Sequence, residues 1–599
     1  MKKTKIFESI LILLIFFSSF LRLINLRTNT QFEWDQENSV AFPAKTIIEE
    51  HHFPLIGPRT GVGDLHLPPL YAYLTVPFFY ISGLDPVAGS VSAAFFSLAF
   101  LFVSFFLIYK NYDKKTATYF CAVWSFSTFI LMGERIPSNL NLLSISSVLI
   151  LMSTLSLFEK SQKRYWWFVM GLGLFLGINS HLSIVAILLA SFSALFFRKK
   201  LSIISLLPLG MFFLGLLPLF IFNFRHENIL GSNLINFIFN FSNLSGASVI
   251  IKAKLIFILL LENFGRIFIF EGSKWTQQIL GLIFLISLFS LRKCSKKIAD
   301  YWIYFFFLIS GYVIIFTLYK EQIPEYYLLG ILPVAVFGYV FLIEEMMKKW
   351  QRSSSVLLVL FLALLLRSTS FALYKDPKSL LAKQNIVAKI KSEAQDQLVT
   401  INYDMDPSWS YGYDYLLEYY KVNVKKVADF SQSYWISYPK ERFPFRPDFL
   451  SGEIALGFPE SSDKIYQTKK VDFYNSFSMR IPKEWMILQC PSFDFDKYIL
   501  SSLIDRSCAD EDFGREEVVI YNLPDCNIWE TDGLKELETQ SELPMYQLNQ
   551  SSFSHIPEGI KLCDIEVVVS SIERNRCFVF DNLEYQNSGA LQILNSIKK

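Results

Sequence analysis

Residues 88–109 read AGSVSAAFFSLAFLFVSFFLIY, a run without a single charge, closed on its far side by Lys110, Lys114 and Lys115. At about 1.5 Å of rise per residue, such a helix is about 33 Å long, enough to cross a hydrocarbon layer about 30 Å thick. Ten more runs of this kind lie near 7–25, 116–133, 140–158, 165–180, 182–197, 202–222, 276–291, 301–319, 326–344 and 354–373. The whole chain of 599 residues agrees with them: 52% is hydrophobic, 17% aromatic and 18% charged. A soluble globular protein carries about 25% charge. These values exclude a soluble enzyme, a disordered chain and a nucleic-acid binder, and leave a polytopic helical membrane protein.

Two other apolar stretches are ambiguous. Residues 68–84 are short and contain Pro68, Pro69 and Pro77; residues 249–270 are interrupted by Lys252, Lys254, Glu262 and Arg266. Short loops rich in Lys and Arg mark the cytoplasmic side. With neither stretch crossing, the clusters Lys2/Lys3/Lys5, Lys110/Lys114/Lys115, Lys160/Lys163/Arg164, Arg198/Lys199/Lys200, Arg292/Lys293/Lys296/Lys297 and Lys348/Lys349/Arg352 all fall inside. Crossing by 68–84 alone would turn every later cluster outward. Crossing by both would leave Lys110, Lys114, Lys115 and two further clusters outside. Both stretches are therefore expected along the outer interface, as amphipathic or re-entrant helices. Eleven crossings from a cytoplasmic N-terminus leave the C-terminus extracytoplasmic. The first run follows MKKTK as in a signal peptide, but Arg22, Leu23, Ile24 and Asn25 offer no small-residue cleavage site, so it is expected to remain as a span.

The expected fold class is thus an all-α membrane domain over 1–373, with outer loops at 26–87 and 223–275, followed by an extracytoplasmic α/β domain over 374–599. The charge divides at the same place. Residues 1–373 hold 31 basic and 19 acidic side chains, whereas 374–599 hold 25 and 35. The tail is long enough for its own core. It opens with a helical stretch near 377–395, the strand LVTINY at 398–403 and a helix near 411–420, and later strands are expected at 518–523, 565–571 and 577–581. Five of the seven cysteines lie there: Cys490, Cys508, Cys526, Cys563 and Cys577. An extracytoplasmic domain can form disulfides, but the sequence does not fix their pairing. No CxxC or His/Cys metal spacing occurs.

Chemistry should then sit outside or at the outer interface, because the inner face has only short links. Just after the first run comes Glu33-Trp34-Asp35-Gln36-Glu37, three carboxylates within five residues. A carboxylate there can act as a general base if it is desolvated and near its substrate; the alternative is a solvated acidic loop. An amphipathic stretch at 38–50 follows, then His51-His52, Arg59, His66 and Pro68-Pro69-Leu70-Tyr71. Between the third and fourth runs lies Glu134-Arg135-Ile136-Pro137-Ser138-Asn139-Leu140-Asn141. Arg135 can grip a phosphate with both arms of its guanidinium, or snorkel to the interface. Arg225 and His226 leave the seventh run, where they face an anion or cap the helix. His181 opens the sixth run at its outer end. Arg367 lies inside the last run, where a lone charge is costly, so it is expected to face the bundle interior and pair.

The motifs Trp34-Asp35-Gln36-Glu37, Pro-Pro-Leu-Tyr at 68–71, RIPSNLNLL at 135–143, GLFLGINSHLS at 173–183 and LPLFIFNFRH at 217–226 occur in this order. The ordered set resembles the GT-C superfamily of glycosyltransferases that use polyprenyl-phosphate sugars, in the branch of the protein O-mannosyltransferases and aminoarabinose transferases. The resemblance covers roughly residues 5–420. It implies a catalytic acidic residue in the first outer loop, usually within an Asp-Glu pair. Asp35 holds that place, with Gln36 where the second carboxylate is usual and Glu33 and Glu37 as substitutes. Some relatives carry a Lys before the first proline of the juxtamembrane helix; here Leu67 stands there, and His66 is the nearest polar group. Arg135, Asn139 and Asn141 match the family's Asn-containing link between the third and fourth spans, and Arg225-His226 matches a stretch common in bacterial members.

The resemblance implies transfer of a sugar from a polyprenyl-phosphate donor to an acceptor hydroxyl on the extracytoplasmic face. Inversion is expected, with Asp35 as base and Arg59, His66, Arg135, Asn139, Asn141, Arg225 and His226 as candidates for holding the donor phosphate and substrate. The sequence shows no Gly-rich phosphate loop, no dinucleotide fingerprint and no nucleic-acid partner. The residues point to no definite cofactor; a divalent ion among Asp35, Glu37 and the phosphate is compatible with them. The acceptor is left open among a protein, a lipid and a glycan. Two other classes share the polytopic pattern: a transporter or flippase, which would usually show an internal repeat, and an inactive membrane protein carrying an extracellular binding domain.

Overall fold

The computed structural model describes residues 2–60, 65–159, 164–239, 246–319, 323–350, 353–425, 433–442 and 447–459, and beyond these only the backbone of short strands up to 581. The chain forms two compact units, Met1–Leu381 and Ala382–Lys599. The boundary falls a few residues after the expected 373/374, for a local reason. The amides of Asp376 and Leu380 donate to the carbonyls of Thr28 and Thr30, both at 2.8 Å, so this segment is tied to the first unit.

Every one of the eleven apolar runs lies on a helix or a bent helix pair. Among the described residues, five helices are long and apolar enough to cross a membrane: Val87–Asn111, Lys274–Leu291, Lys296–Thr317, Glu325–Lys349 and Ser354–Leu373. Two bent pairs, Lys114–Phe126 with Thr128–Arg135 and Ile203–Gly215 with Leu217–Arg225, bring the number to seven if each is one span. The remaining runs form shorter apolar helices, Ile6–Phe20, Asn141–Leu157, Tyr165–Ile178 and Ile184–Phe197. The protein is therefore a mostly helical, multi-pass membrane protein with a smaller sheet-bearing C-terminal part.

The sharper break, 72°, falls at Ser127. Inside an apolar layer the freed backbone groups need partners. Ser127 Oγ accepts the amide of Ile130 at 3.4 Å, and Ser368 Oγ donates to the carbonyl of Phe126 at 2.8 Å. The two ambiguous stretches are also helical. Leu70–Ile81 buries Tyr71, Ala72, Thr75 and Phe79 and exposes Tyr80 and Ile81. Gly246–Arg266 buries Ile256, Leu260 and Phe264 and exposes Ile250, Ile251 and Leu255. This second helix lies backbone to backbone against Lys274–Leu291: a Cβ on Gly281 would stand 2.1 Å from the carbonyl oxygen of Leu261.

Several charges inside the helical unit are paired. Arg367, expected to face the bundle interior, is paired as anticipated but only half-buried; it donates to Glu271 at 2.8 Å. Arg266 donates to Glu325, and Arg198 to Asp300. The most enclosed group is Arg22, just past the first helix, which donates to Ser97 Oγ at 2.7 Å, the Ser18 carbonyl at 3.2 Å and Glu134 at 2.6 Å. Glu134 also accepts the indole N–H of Trp124 at 2.7 Å.

The second unit contains the strands β1 (Thr400–Asp404), β2 (Ser433–Ser437), β3 (Phe449–Ser451), β4 (Ile454–Gly457), β5 (Val471–Phe473), β6 (Phe477–Met479), β7 (Met486–Pro491), β8 (Asp496–Ser501), β9 (Glu517–Leu523), β10 (Lys535–Glu536), β11 (Met545–Gln547), β12 (Ile565–Ser571) and β13 (Arg576–Asp581). The helix Leu380–Ala394 precedes β1, and helices Pro407–Ser410 and Tyr413–Tyr419 separate it from β2, which pairs with it in parallel. This is a crossover connection, and it sits in a sheet of order β1-β2-β4-β3. The second sheet is antiparallel, of order β10-β11-β12-β13-β9-β8-β7. The strands expected at 398–403, 518–523, 565–571 and 577–581 correspond to β1, β9, β12 and β13. The side chains of the five tail cysteines lie outside the described residues.

Candidate functional site

The site is built on the first outer loop. Past Asn25, whose φ of +55° ends the first helical region, the segment Leu26–Asn29 is anchored by Asn29, which donates to the carbonyls of Phe371 and Tyr374, both at 3.0 Å. Gln31 donates to Asp376 at 2.6 Å. From this anchor the chain enters the short helix Trp34–Gln36, a π-helical turn at Glu37–Ala41 and the helix Phe42–Glu50. Gln36 Oε1 accepts the amide of Glu33 at 3.0 Å, and Gln36 Nε2 donates to the Pro137 carbonyl at 3.4 Å. The usual place of a second carboxylate is thus held by a buried amide that caps its own helix and bridges to the link between the third and fourth runs. A carboxylate could accept from Glu33 but could not donate to Pro137.

The three acidic side chains of this loop differ sharply. Glu37 is 1% exposed, Glu33 is half-buried and Asp35 is exposed. Asp35 nevertheless has enough protein around it that the loss of water pushes its carboxyl above the ordinary value of 3.8. Tyr326, the second residue of the segment Glu325–Ile331, lies within the electrostatic field of Asp35.

The other candidate residues fall into two groups. Arg135, Asn139 and Asn141 tie the outer links together. Arg135 is 1% exposed and donates to the carbonyls of Leu21 at 2.7 Å and Ile24 at 2.6 Å, at the end of the first helix. Asn139 donates to the carbonyl of Ser180, whose hydroxyl returns a bond to the Asn139 carbonyl at 2.8 Å. Asn141 Oδ1 accepts from the Tyr71 hydroxyl at 2.7 Å and the Ser138 amide at 3.0 Å. This last pair joins the Pro-Pro-Leu-Tyr helix to the same link that Gln36 touches. Arg59, Arg225 and His226 are exposed, and His66 is half-buried. Arg59 and His66 face each other in an antiparallel bridge, with His66 Nδ1 at 2.9 Å from the Gly57 carbonyl. His226 stacks on Phe222, 4.0 Å between ring centres, at the end of Leu217–Arg225.

His181, Tyr326 and Tyr327 form a second cluster, of which Tyr326 feels the charge of Asp35. His181 packs edge-on against Tyr327, with ring centres 4.6 Å apart, and lies 6.2 Å from Tyr326. His181 stands on the link between Tyr165–Ile178 and Ile184–Phe197, the link that Asn139 and Ser180 hold. Tyr326 and Tyr327 escape a sequence-based search because aromatic residues at the end of an apolar run are ordinary interface anchors. The one available signal is the acidic Glu325 directly before them. Among the described residues, no three His, Cys, Asp or Glu side chains converge to hold a metal ion.

No protein-family model and no curated protein matches this chain. Among solved structures, it is similar to ArnT from Cupriavidus metallidurans bound to undecaprenyl phosphate, with 9% identity, a TM-score of 0.49 and coverage of 76% of this chain and 98% of that one. It is also similar to the oligosaccharyltransferase of Archaeoglobus fulgidus in complex with Zn and sulfate, with 12% identity, a TM-score of 0.44 and coverage of 71% and 67%. A third similar structure is AglB from the same organism with an inhibitory peptide and a dolichol-phosphate, at 11% identity, a TM-score of 0.38 and coverage of 74% and 70%.

Proposed function

We propose that this protein is a membrane glycosyltransferase that moves a sugar from a polyprenyl-phosphate donor to an acceptor hydroxyl at the extracytoplasmic edge of the bilayer. Its N-terminus is cytoplasmic, all eleven apolar runs cross, and the domain that follows residue 373 hangs outside. The observation that carries this reading is Asp35: an exposed carboxylate whose affinity for a proton is raised by loss of water, on a loop joined through the link at Pro137 and Asn141 to the helix Leu70–Ile81. The ordered motifs of the sequence supply the substrate class.

The step is a single displacement. The acceptor O–H gives its proton to the Asp35 carboxylate while its oxygen bonds to the anomeric carbon. The bond from that carbon to the phosphate oxygen breaks, and its electron pair leaves with the lipid phosphate. A raised pKa makes Asp35 a better base than an ordinary aspartate. Glu37 is too enclosed to share this role, and Gln36 is held by its cap and bridge. The departing phosphate gains charge that cations stabilise. Arg59, His66, Arg225 and His226 are the candidates for that task; Arg135 donates to the carbonyls of Leu21 and Ile24.

The test is transfer from labelled undecaprenyl-phosphate sugars by the purified protein, with the product's anomer read by NMR. Asp35→Asn should lower turnover by about 10²–10⁴-fold. Turnover close to wild type in a folded, inserted Asp35→Asn protein refutes the base; retention of configuration refutes the single displacement.

A further inference from the structure

We propose that His181, set against Tyr326 and Tyr327, donates a hydrogen bond from Nε2 to a ring hydroxyl of the donor's sugar, and so helps to choose which sugar is accepted. This inference rests on the glycosyltransferase reading and deepens it.

The tautomer follows from a backbone contact. The amide of Ser183 donates to His181 Nδ1 at 3.1 Å, so in the neutral ring the proton sits on Nε2. Among the described residues Nε2 meets no partner, and it is not among the buried polar atoms sealed from solvent. A donor of fixed direction therefore faces open space. The ring cannot easily turn away. The His181 amide bonds to the Gly177 carbonyl at 2.9 Å, Ser180 is tied to Asn139, and Tyr327 packs against the imidazole. Tyr327 is itself 6% exposed, whereas Tyr326 is 46% exposed.

The chemistry favours an uncharged partner. Protein crowds the ring on most sides, and burial pushes its pKa down to about 4, so it stays neutral at working pH. A phosphate would call for a cation, and the imidazolium is the form this environment disfavours. A neutral N–H beside an exposed tyrosine ring suits a pyranose, which offers hydroxyls at its rim and apolar C–H groups on its faces. Tyr326 also lies within the field of Asp35, the carboxylate proposed to receive the acceptor's proton.

The experiment measures binding of two kinds of lipid to the full-length protein in nanodiscs: bare undecaprenyl phosphate, and undecaprenyl phosphate carrying glucose, mannose or N-acetylglucosamine. His181→Ala should weaken the sugar-bearing lipid about threefold to tenfold, the range of one neutral hydrogen bond, and leave the bare lipid unchanged. His181→Gln, which keeps a neutral donor, should recover most of the loss. The inference is overturned if His181→Ala weakens both lipids equally, if it weakens neither, or if His181→Gln melts like wild type yet recovers nothing. It also fails alone if the wild type binds the bare lipid and every sugar-bearing lipid equally. A wild-type protein that binds neither lipid overturns the glycosyltransferase reading itself.

Discussion

Removing the carboxylate of Glu134 should cost more stability than any other single change near the first outer loop. Arg22 has 0% of its side chain exposed and Glu134 11%. The Glu134 oxygens accept from Arg22 at 2.6 Å and from the Trp124 indole at 2.7 Å. In Glu134→Ala the guanidinium keeps only the hydroxyl of Ser97 and the carbonyl of Ser18, both neutral. Breaking one side of a buried ion pair costs about 3–5 kcal/mol, because the other charge stays buried without its counterion. The stranded indole N–H belongs to the same loss, since an orphaned buried donor accounts for about 1–3 kcal/mol by itself. The aggravating feature is Arg135, whose own charge lies within the field of Arg22. With Glu134 gone, the two guanidinium charges lose the carboxylate beside them at the end of the first helix, where the loop carrying Asp35 begins. The assay is thermal unfolding of the detergent-solubilised protein, read by intrinsic fluorescence and by the monomer fraction after heating. Glu134→Ala should lose most of its folded fraction well below the wild-type transition, and Glu134→Gln, which keeps an acceptor, should fall between. The double variant Arg22→Met with Glu134→Leu should regain much of the loss, since replacing a whole buried pair by apolar side chains is often neutral. A double variant as unstable as Glu134→Ala would refute the account, because the damage would then come from lost shape rather than from a stranded charge.

Asp35→Asn should melt no lower than wild type at neutral pH although its turnover collapses. A carboxyl whose folded pKa is raised stabilises the fold when protonated, an advantage complete below the ordinary value of 3.8 and lost as pH rises through the folded pKa. The same shift places the acid limb of kcat/KM above 3.8, and a limb at or below that value would remove Asp35 from the assignment. Gln36→Glu should lose the donor to the Pro137 carbonyl and bring a charge into a buried place, at about 1–3 kcal/mol, and thermal unfolding in detergent measures it. Gly281→Val should force apart the helices Gly246–Arg266 and Lys274–Leu291, since even a Cβ would overlap the Leu261 carbonyl; a melting temperature equal to wild type would contradict that packing.

What the sequence made legible, and what it hid, divides along a physical line. Apolar runs and alternating strands state their own structure, because burial in lipid or in a sheet is decided by residues close together in the chain. Hence the helices of 1–373 and the strands β1, β9, β12 and β13 appear where expected. The roles of single polar residues depend on partners far away in sequence. Arg135 looked like a phosphate ligand because its guanidinium suits one; its contacts are carbonyls 111 and 114 positions earlier. Gln36 looked like a missing carboxylate, and the Pro137 carbonyl that makes an amide useful there is 101 positions away. The corner of His181 with Tyr326 and Tyr327 joins two links that no local pattern connects. Asp35 stands out in the sequence for the opposite reason. Three acidic residues at the end of an apolar run are conspicuous wherever they fold, yet only the structure separates the enclosed Glu37 from the accessible Asp35. The same distinction governs which substitutions should matter. Changes at Arg135, Asn139 or Asn141 should act through the stability of the links, and changes at Asp35 or His181 through the handling of substrate. An Asn141→Ala protein that folds like wild type but loses its donor would cross that line and return the residue to the binding site.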